Sequence, residues 1–147
     1  MSLLIGTKNT TTQTIVAGGI INLGAVYRKY CKKNCCGVKC FEFNGTSISL
    51  QHQGIYHVTA MFESTGAVGA MSIQLLENGV VIPGAYSSQS ITVADTQQRN
   101  FVIDYYVLVD NVNVLNQNLT SAKSISFQTG GVDGSIINAV VNIEKVV

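Results

Sequence analysis

Charged side chains are scarce in this sequence: Asp, Glu, Lys and Arg make up 12% of its 147 residues, against about 25% in an ordinary soluble domain. Hydrophobic residues make up 46%, so a monomer would expose large apolar patches, which soluble monomers rarely do. Long hydrophobic runs are also missing. The best candidate, residues 15–27, is interrupted by Gly18, Gly19, Asn22 and Gly24, whereas a spanning helix needs about 20 largely apolar residues. The composition therefore predicts an oligomer that covers its apolar faces with copies of itself, and no insertion into a membrane.

The first residues lack the features of a secretion signal. Their apolar stretch, residues 3–5, has no basic region ahead of it and no small-residue cleavage pattern behind it. We therefore expect the protein to be made in a bacterial cytoplasm without a signal peptide.

Proline occurs once, at Pro83, tryptophan is absent, and no segment has the spacing of an amphipathic helix. Short stretches of alternating apolar and polar residues recur instead, separated by clusters of Gly, Asn, Asp and Ser. Asn78-Gly79 signals a two-residue hairpin, because both central residues of that turn need positive φ, and the strand that follows is expected to end at Pro83. We predict an all-β fold, a two-sheet antiparallel jelly-roll sandwich of about 8–10 strands, in a single domain over residues 1–147.

Three of the predicted strands, 55–62, 101–109 and 137–143, are apolar on both of their faces. A strand in an antiparallel sheet with one wet face shows clean alternation of apolar and polar residues instead. We therefore expect one face of each strand to lie in the sandwich core and the other to lie against a neighbouring subunit.

Three segments resemble a known superfamily, the tumour-necrosis-factor-like jelly rolls that include the globular heads of complement subcomponent q. They are Gly-Ile-Tyr-His-Val-Thr-Ala at 54–60, Glu-Asn-Gly-Val-Val-Ile-Pro-Gly at 77–84 and Asn-Ala-Val-Val-Asn-Ile at 138–143. The best-matching part is 41–147, and residues 1–40 add N-terminal strands and a loop rich in cysteine and basic residues. The resemblance implies a homotrimer in which the sheet containing the Gly-x-Tyr strand and the C-terminal strand faces the threefold axis.

The resemblance also implies which side chains face the axis. Core positions are predicted for Tyr56, Val58, Ala60, Phe62, Ile137, Ala139, Val141 and Ile143. Because alternate side chains of a strand point to opposite faces, the trimer interface is predicted on the other face. It comprises Ile55, His57, Thr59, Met61, Tyr106, Asn138, Val140 and Asn142.

Small members of this superfamily are surface proteins of Gram-positive bacteria and their phages. The resemblance therefore implies a non-enzymatic trimeric structural or binding module on the surface of a phage virion, as a capsid decoration, a head fibre or a receptor-binding tip. Its partners would be copies of itself and other virion or surface proteins. One alternative is a bacterial cell- or spore-surface protein. An alternative of another class is a zinc-dependent or nucleic-acid-binding protein that uses the loop 31–40.

The four cysteines, Cys31, Cys35, Cys36 and Cys40, follow the spacing C-x3-C-C-x3-C. Four thiolates can hold a zinc ion, but two disulfides or free thiols fit the spacing as well, and all three states stay open. Basic residues crowd the same region at 28–33. Because the net charge of the chain is only +1, we expect this loop to be solvated or to dock on an acidic protein surface and not to bind nucleic acid.

No catalytic site is predicted. The two histidines, His52 and His57, accompany no Gly-x-Ser-x-Gly motif, and the carboxylates are scattered along the chain. We therefore expect no enzymatic activity and no cofactor other than zinc at the cysteines. Three copies of His57 would meet near a threefold axis, where they could bind a metal or respond to pH, although hydrogen bonding within the interface is the more ordinary role.

Overall fold

A computed structural model describes residues 3–30, 40–110 and 122–146. All regular elements in these residues are β-strands, and the strands form two antiparallel sheets. The predicted all-β, two-sheet sandwich is therefore confirmed.

Eleven strands lie within the described residues. They are β1 (Leu3–Asn9), β2 (Gln13–Ile15), β3 (Ala25–Lys29), β4 (Phe41–Phe43), β5 (Ile48–Leu50), β6 (Gly54–Gly66), β7 (Gly69–Glu77), β8 (Val80–Ile91), β9 (Arg99–Val109), β10 (Lys123–Gly131) and β11 (Gly134–Lys145). Sheet A has the order β3-β1-β11-β6-β9, with β2 also paired to β11, and sheet B has the order β4-β5-β10-β7-β8. The number of strands exceeds the expected 8–10 because β2 and β4, with three residues each, are too short to show an alternating pattern.

The core fills the space between the two sheets. From β6 it receives Tyr56, Val58, Ala60 and Phe62, each at most 1% exposed, as the alternation predicted. Phe62 meets Phe127 of sheet B edge to face, with 5.1 Å between ring centroids, a geometry that aromatic pairs favour.

The C-terminal strand departs from the prediction at one residue. Ala139, Val141 and Ile143 are buried as expected, but Ile136, at 1% exposed, takes the core position that was predicted for Ile137. The pairing of β11 with β6 shifts between Ile136 and Asn138, so Ile137 is an extra residue in a β-bulge. A bulge changes the phase of the side chains that precede it, and the placement of Ile137 in the core is therefore wrong.

The hairpin between β7 and β8 is confirmed. Asn78 has φ 51° and Gly79 has φ 80°, the left-handed conformations that such a turn needs. The expectation that the next strand ends at Pro83 is wrong, because β8 continues to Ile91. Proline is tolerated there since β8 lies at the edge of sheet B, where a missing N–H need not break the hydrogen-bond ladder.

Candidate functional site

The outer faces of the two sheets differ in chemistry. On sheet A, large apolar side chains of β6 and β9 are 37–60% exposed. These side chains are Ile55, Met61, Val102, Tyr106 and Leu108. On sheet B, most side chains that alternate with core residues are small and polar. These are Ser49, Ser72, Gln74, Ser88, Ser124, Ser126 and Gln128. The exceptions lie on the edge strand β8, where Val81 is 42% and Tyr86 is 56% exposed. Sheet B thus presents a mainly polar outer face, and sheet A presents a mainly apolar one at β6 and β9.

All eight predicted interface residues share the outer face of sheet A. Strand pairing places His57 opposite Tyr106, and it places Met61 opposite Val140 and Thr59 opposite Asn142. The structure therefore brings together side chains from three strands that are far apart in sequence. Their role in a trimer stays a prediction.

A histidine, a carboxylate and a tyrosine form a cluster at the β6–β9 side of this face. The Nε2 atom of His57 contacts Oδ1 of Asp104. The imidazole also stacks on Tyr106, with centroids 4.7 Å apart and 15° between the ring planes. Glu144 of β11 lies opposite His57 on the other side. The pair of His57 and Asp104 can form a hydrogen bond with a neutral imidazole and an ion pair with a protonated one.

A second cluster lies at the β1–β3 side. The ring of Tyr27 occupies the space beside Gly6, where a Cβ would come within 2.7 Å of it. The Tyr27 hydroxyl donates a hydrogen bond to Oδ1 of Asn142 at 2.5 Å, and Nζ of Lys8 lies 5.6 Å from the ring centroid, within range of a cation–π contact. No local pattern in the sequence indicates that Tyr27 belongs to this face, because neither Gly6 nor Asn142 is near it in sequence.

From β9, the interface prediction chose the face that carries Tyr106, and Val102, Asp104 and Leu108 share that face. Their signal was available in the sequence, since residues spaced by two lie on one side of a strand. The predicted basic loop is also corrected in part. Arg28 and Lys29 belong to β3 at the edge of sheet A, and not to a loop.

The cysteine cluster lies mostly outside the described residues, which exclude Cys31, Cys35 and Cys36. Cys40 is buried and disulfide-bonded. For Cys31, Cys35 and Cys36, zinc, disulfides and free thiols stay predictions. Elsewhere in the described ranges, no group of three or more His, Cys, Asp or Glu side chains is arranged to hold a metal ion. These ranges also contain no helix that is long and apolar enough to cross a membrane.

Neither protein-family models nor curated proteins give a match to this sequence. Among solved structures, the chain is similar to Eiger TNF from S. frugiperda, with a TM-score of 0.59 and 8% identity over 100% of this chain and 94% of that chain. The fold is the TNF-like jelly roll. The resemblance identified in the sequence is thereby confirmed for the fold, and the TNF-like chain's small bacterial or phage character stays a prediction. Rabbit GITRL aligns with a TM-score of 0.46 and 13% identity over 74% of this chain and 78% of that chain.

Proposed function

We propose that this TNF-like protein is a non-enzymatic homotrimer that acts as a structural or binding module. The observation that carries the proposal is the exposed apolar outer face of sheet A, beside a polar outer face on sheet B. An apolar patch of this kind marks an interaction surface, and closed symmetric assemblies of identical chains are the common way to cover one. The number of copies, three, rests on the resemblance to a superfamily of trimers.

The proposal assigns no chemical step to the outer face of sheet A. His57 and Asp104 form the acid–base pair there, and both lie on an exposed sheet among apolar side chains. In a packed trimer the same pair would be enclosed, so it would serve contact between subunits and not turnover of a substrate. Binding of other molecules would then fall to the loops and to the polar face of sheet B.

The proposal places the trimer on the surface of a phage particle, as a capsid decoration, a head fibre or a receptor-binding tip. This placement is supported by the resemblance of segments 54–60, 77–84 and 138–143 to small TNF-like proteins of Gram-positive bacteria and their phages. Peptide mass spectrometry of purified phage particles tests it. Peptides of this chain should copurify with the capsid, and their recovery only in the host envelope or spore coat would contradict the placement.

The trimer itself is tested by light scattering and one substitution. The wild-type protein should have three times the 15.7 kDa mass of the chain at micromolar concentration. Met61 is 46% exposed on the proposed interface. Met61→Arg should abolish the trimer, because an unpaired buried charge costs about 3–5 kcal/mol.

The matched control is Ser88→Arg, which puts the same charge on the exposed outer face of sheet B. It should leave the mass and the melting temperature unchanged. A monomeric wild-type protein, or a Met61→Arg trimer as stable as the wild type, would contradict the proposal.

A further inference from the structure

The outer face of β7, β8 and β10 in sheet B carries no charged side chain. Strand β8 has no charged residue at all. The single charged residues of β7 and β10, Glu77 and Lys123, lie on the same side of the sheet as the core residues and pair with each other, with 3.3 Å between Oε2 and Nζ. Such a face offers nothing to nucleic acid, whose binding relies on Lys and Arg, and it is complementary to an uncharged ligand.

One aromatic side chain lies on this uncharged face. Tyr86 of β8 is 56% exposed and lies opposite Gln74 of β7, which in turn lies opposite Gln128 of β10. Because directly opposed side chains are about 5 Å apart, the aromatic ring and the two amides form one row across three strands. The neighbouring row, two residues further along each strand, consists of Ser88, Ser72 and Gly130.

Gly130 leaves a depression in the second row. A Cβ at this position would lie 2.7 Å from the hydroxyl oxygen of Ser72 and 3.7 Å from Nε2 of Gln74. Both polar groups therefore lie over the glycine, in the space that a side chain would otherwise fill. Gly130 is part of the regular pairing of β10 with β7, so its missing side chain, and not an unusual backbone angle, distinguishes it here.

The polar groups around the tyrosine have hydrogen-bonding capacity that the chain does not use. Within the part of the chain that the structure describes, four of these side chains make no hydrogen bond, namely Ser72, Gln74, Tyr86 and Ser88. Gln128 uses its Nε2, which donates to a backbone carbonyl at 3.0 Å, and keeps its carbonyl oxygen. Hydroxyl and amide side chains both donate and accept hydrogen bonds, and so do the hydroxyl groups of a sugar.

We infer that the outer face of sheet B binds an uncharged glycan, with a sugar ring stacked on Tyr86 and its hydroxyls hydrogen-bonded to Gln74 and Ser72. A pyranose has apolar C–H faces and a polar rim, and an aromatic ring flanked by amides and hydroxyls has the matching division. The glycan is the ligand of the proposed binding module, and in this respect the inference rests on the proposed function. The site lies within one chain and needs no contact between copies.

An oligosaccharide array tests the class of ligand. It carries linear gluco-, manno- and galacto-oligosaccharides and chito-oligosaccharides, together with sulfated and uronic-acid-containing oligosaccharides. We expect the wild-type protein to bind at least one uncharged series, and to bind the acidic ones more weakly. Isothermal titration calorimetry then gives the dissociation constant for the oligosaccharide bound best. Failure to bind any uncharged series, or binding of the acidic ones alone, would overturn the inference.

Four variants test the site itself. Tyr86→Ala should raise the dissociation constant at least about tenfold, whereas Tyr86→Phe keeps the ring and should stay within about threefold of the wild type. Gly130→Ala should raise the constant about fivefold, because the new methyl group displaces the Ser72 hydroxyl. The matched control is Tyr30→Ala, since Tyr30 is 54% exposed but follows β3 of sheet A. It should leave binding unchanged, and equal effects of Tyr86→Ala and Tyr30→Ala would contradict the site.

Light scattering without glycan tests the other possible occupant, a second copy of the chain. A lower mass for Tyr86→Ala than for the wild type would show that copies cover this face, and would overturn the inference. A wild-type trimer that binds no oligosaccharide would overturn the inference and leave the trimer standing. A wild-type monomer that binds an uncharged oligosaccharide would contradict the trimer alone. Far-UV circular dichroism checks that each variant is folded.

Discussion

The guanidinium of Arg99 is fully buried at the end of the sandwich where β7, β8 and β9 meet. Its Nη2 donates to the carbonyl oxygens of Ala67 and Gly69, at 2.5 and 2.8 Å, and its Nε donates to that of Gln89 at 3.2 Å. Burial lowers the pKa of Arg99, yet arginine stays charged in proteins. The residue thus donates hydrogen bonds to three backbone carbonyls from one rigid, planar group. Its inward direction follows from the same alternation that buries Phe101 and Ile103.

The Tyr56 hydroxyl makes stability depend on pH. Burial raises the pKa of Tyr56 to about 12 from an ordinary value of 10.0, and the hydroxyl donates to the carbonyl of His52 at 2.7 Å. The native state keeps this proton at a pH where the unfolded chain has released it. The contribution is therefore complete below pH 10 and is lost as the pH rises from 10 to about 12.

Tyr56→Phe isolates this effect from the titration of other groups. At pH 8 the wild type should be more stable by about 1 kcal/mol, because the variant lacks a buried hydrogen bond. Between pH 10 and 12 this difference should shrink. Thermal unfolding of both proteins at pH 8 and pH 11 measures it, and a difference that stays constant would contradict the assigned pKa.

Two glycines with the same backbone angle set different constraints on their strands. Gly79 in the β7–β8 hairpin and Gly131 at the end of β10 both have φ 80°. A Cβ on Gly79 would meet nothing within 4 Å, whereas a Cβ on Gly131 would lie 2.2 Å from the carbonyl oxygen of Ala70. Gly79 is needed only for its positive φ. Gly131 is needed for its positive φ and because the backbone of Ala70 leaves no space for a Cβ.

Gly79→Ala and Gly131→Ala form a matched pair of variants. Gly79→Ala should cost about 1–2 kcal/mol, the cost of a left-handed conformation for a residue with a Cβ. Gly131→Ala should cost clearly more, because the β7 backbone must also move. Chemical denaturation of both variants tests which one loses more stability. Equal losses in the free energy of unfolding would show that the β7 backbone moves aside at no energetic cost.

At the scale of the whole molecule, the difference between the two outer faces is what suggests an assembly. Sheet B alternates core residues with serine and glutamine, whereas sheet A alternates them with exposed Met61, Val102 and Leu108. Such a face is stable in water when it is covered, since burial of apolar area is favourable by roughly 25 cal/mol per Å². The low charge content of the sequence and the apolar outer face of sheet A both indicate an assembly.

A trimer that dissociates as it unfolds has a melting temperature that depends on concentration. With an unfolding enthalpy of about 0.7 kcal/mol per residue, a trimer of 147-residue chains should lose about 3 °C for each tenfold dilution. Calorimetry over a hundredfold concentration range measures this shift. A melting temperature independent of concentration would indicate unfolding without dissociation.

The sequence predicted much of the sheet architecture because alternation is local. Residues i and i+2 share a face wherever a strand is regular, so the core side of β6 and the outward side of β9 followed without knowledge of the partners. The same rule failed at Ile137, because a bulge is set by the register against β6. The expectation that the strand ends at Pro83 failed for another reason, because only the order of sheet B makes β8 an edge strand that tolerates proline.

By itself, then, the sequence determined the fold class, the Asn78-Gly79 hairpin and eight of the side chains on the outer face of sheet A. Only the tertiary structure added Tyr27 to that face and decided which of its side chains touch. Tyr27 and Asn142 are 115 residues apart, and His57 is 47 residues from Asp104. The order of the strands in each sheet was likewise decided there, because strand pairing is a long-range choice that no local pattern encodes.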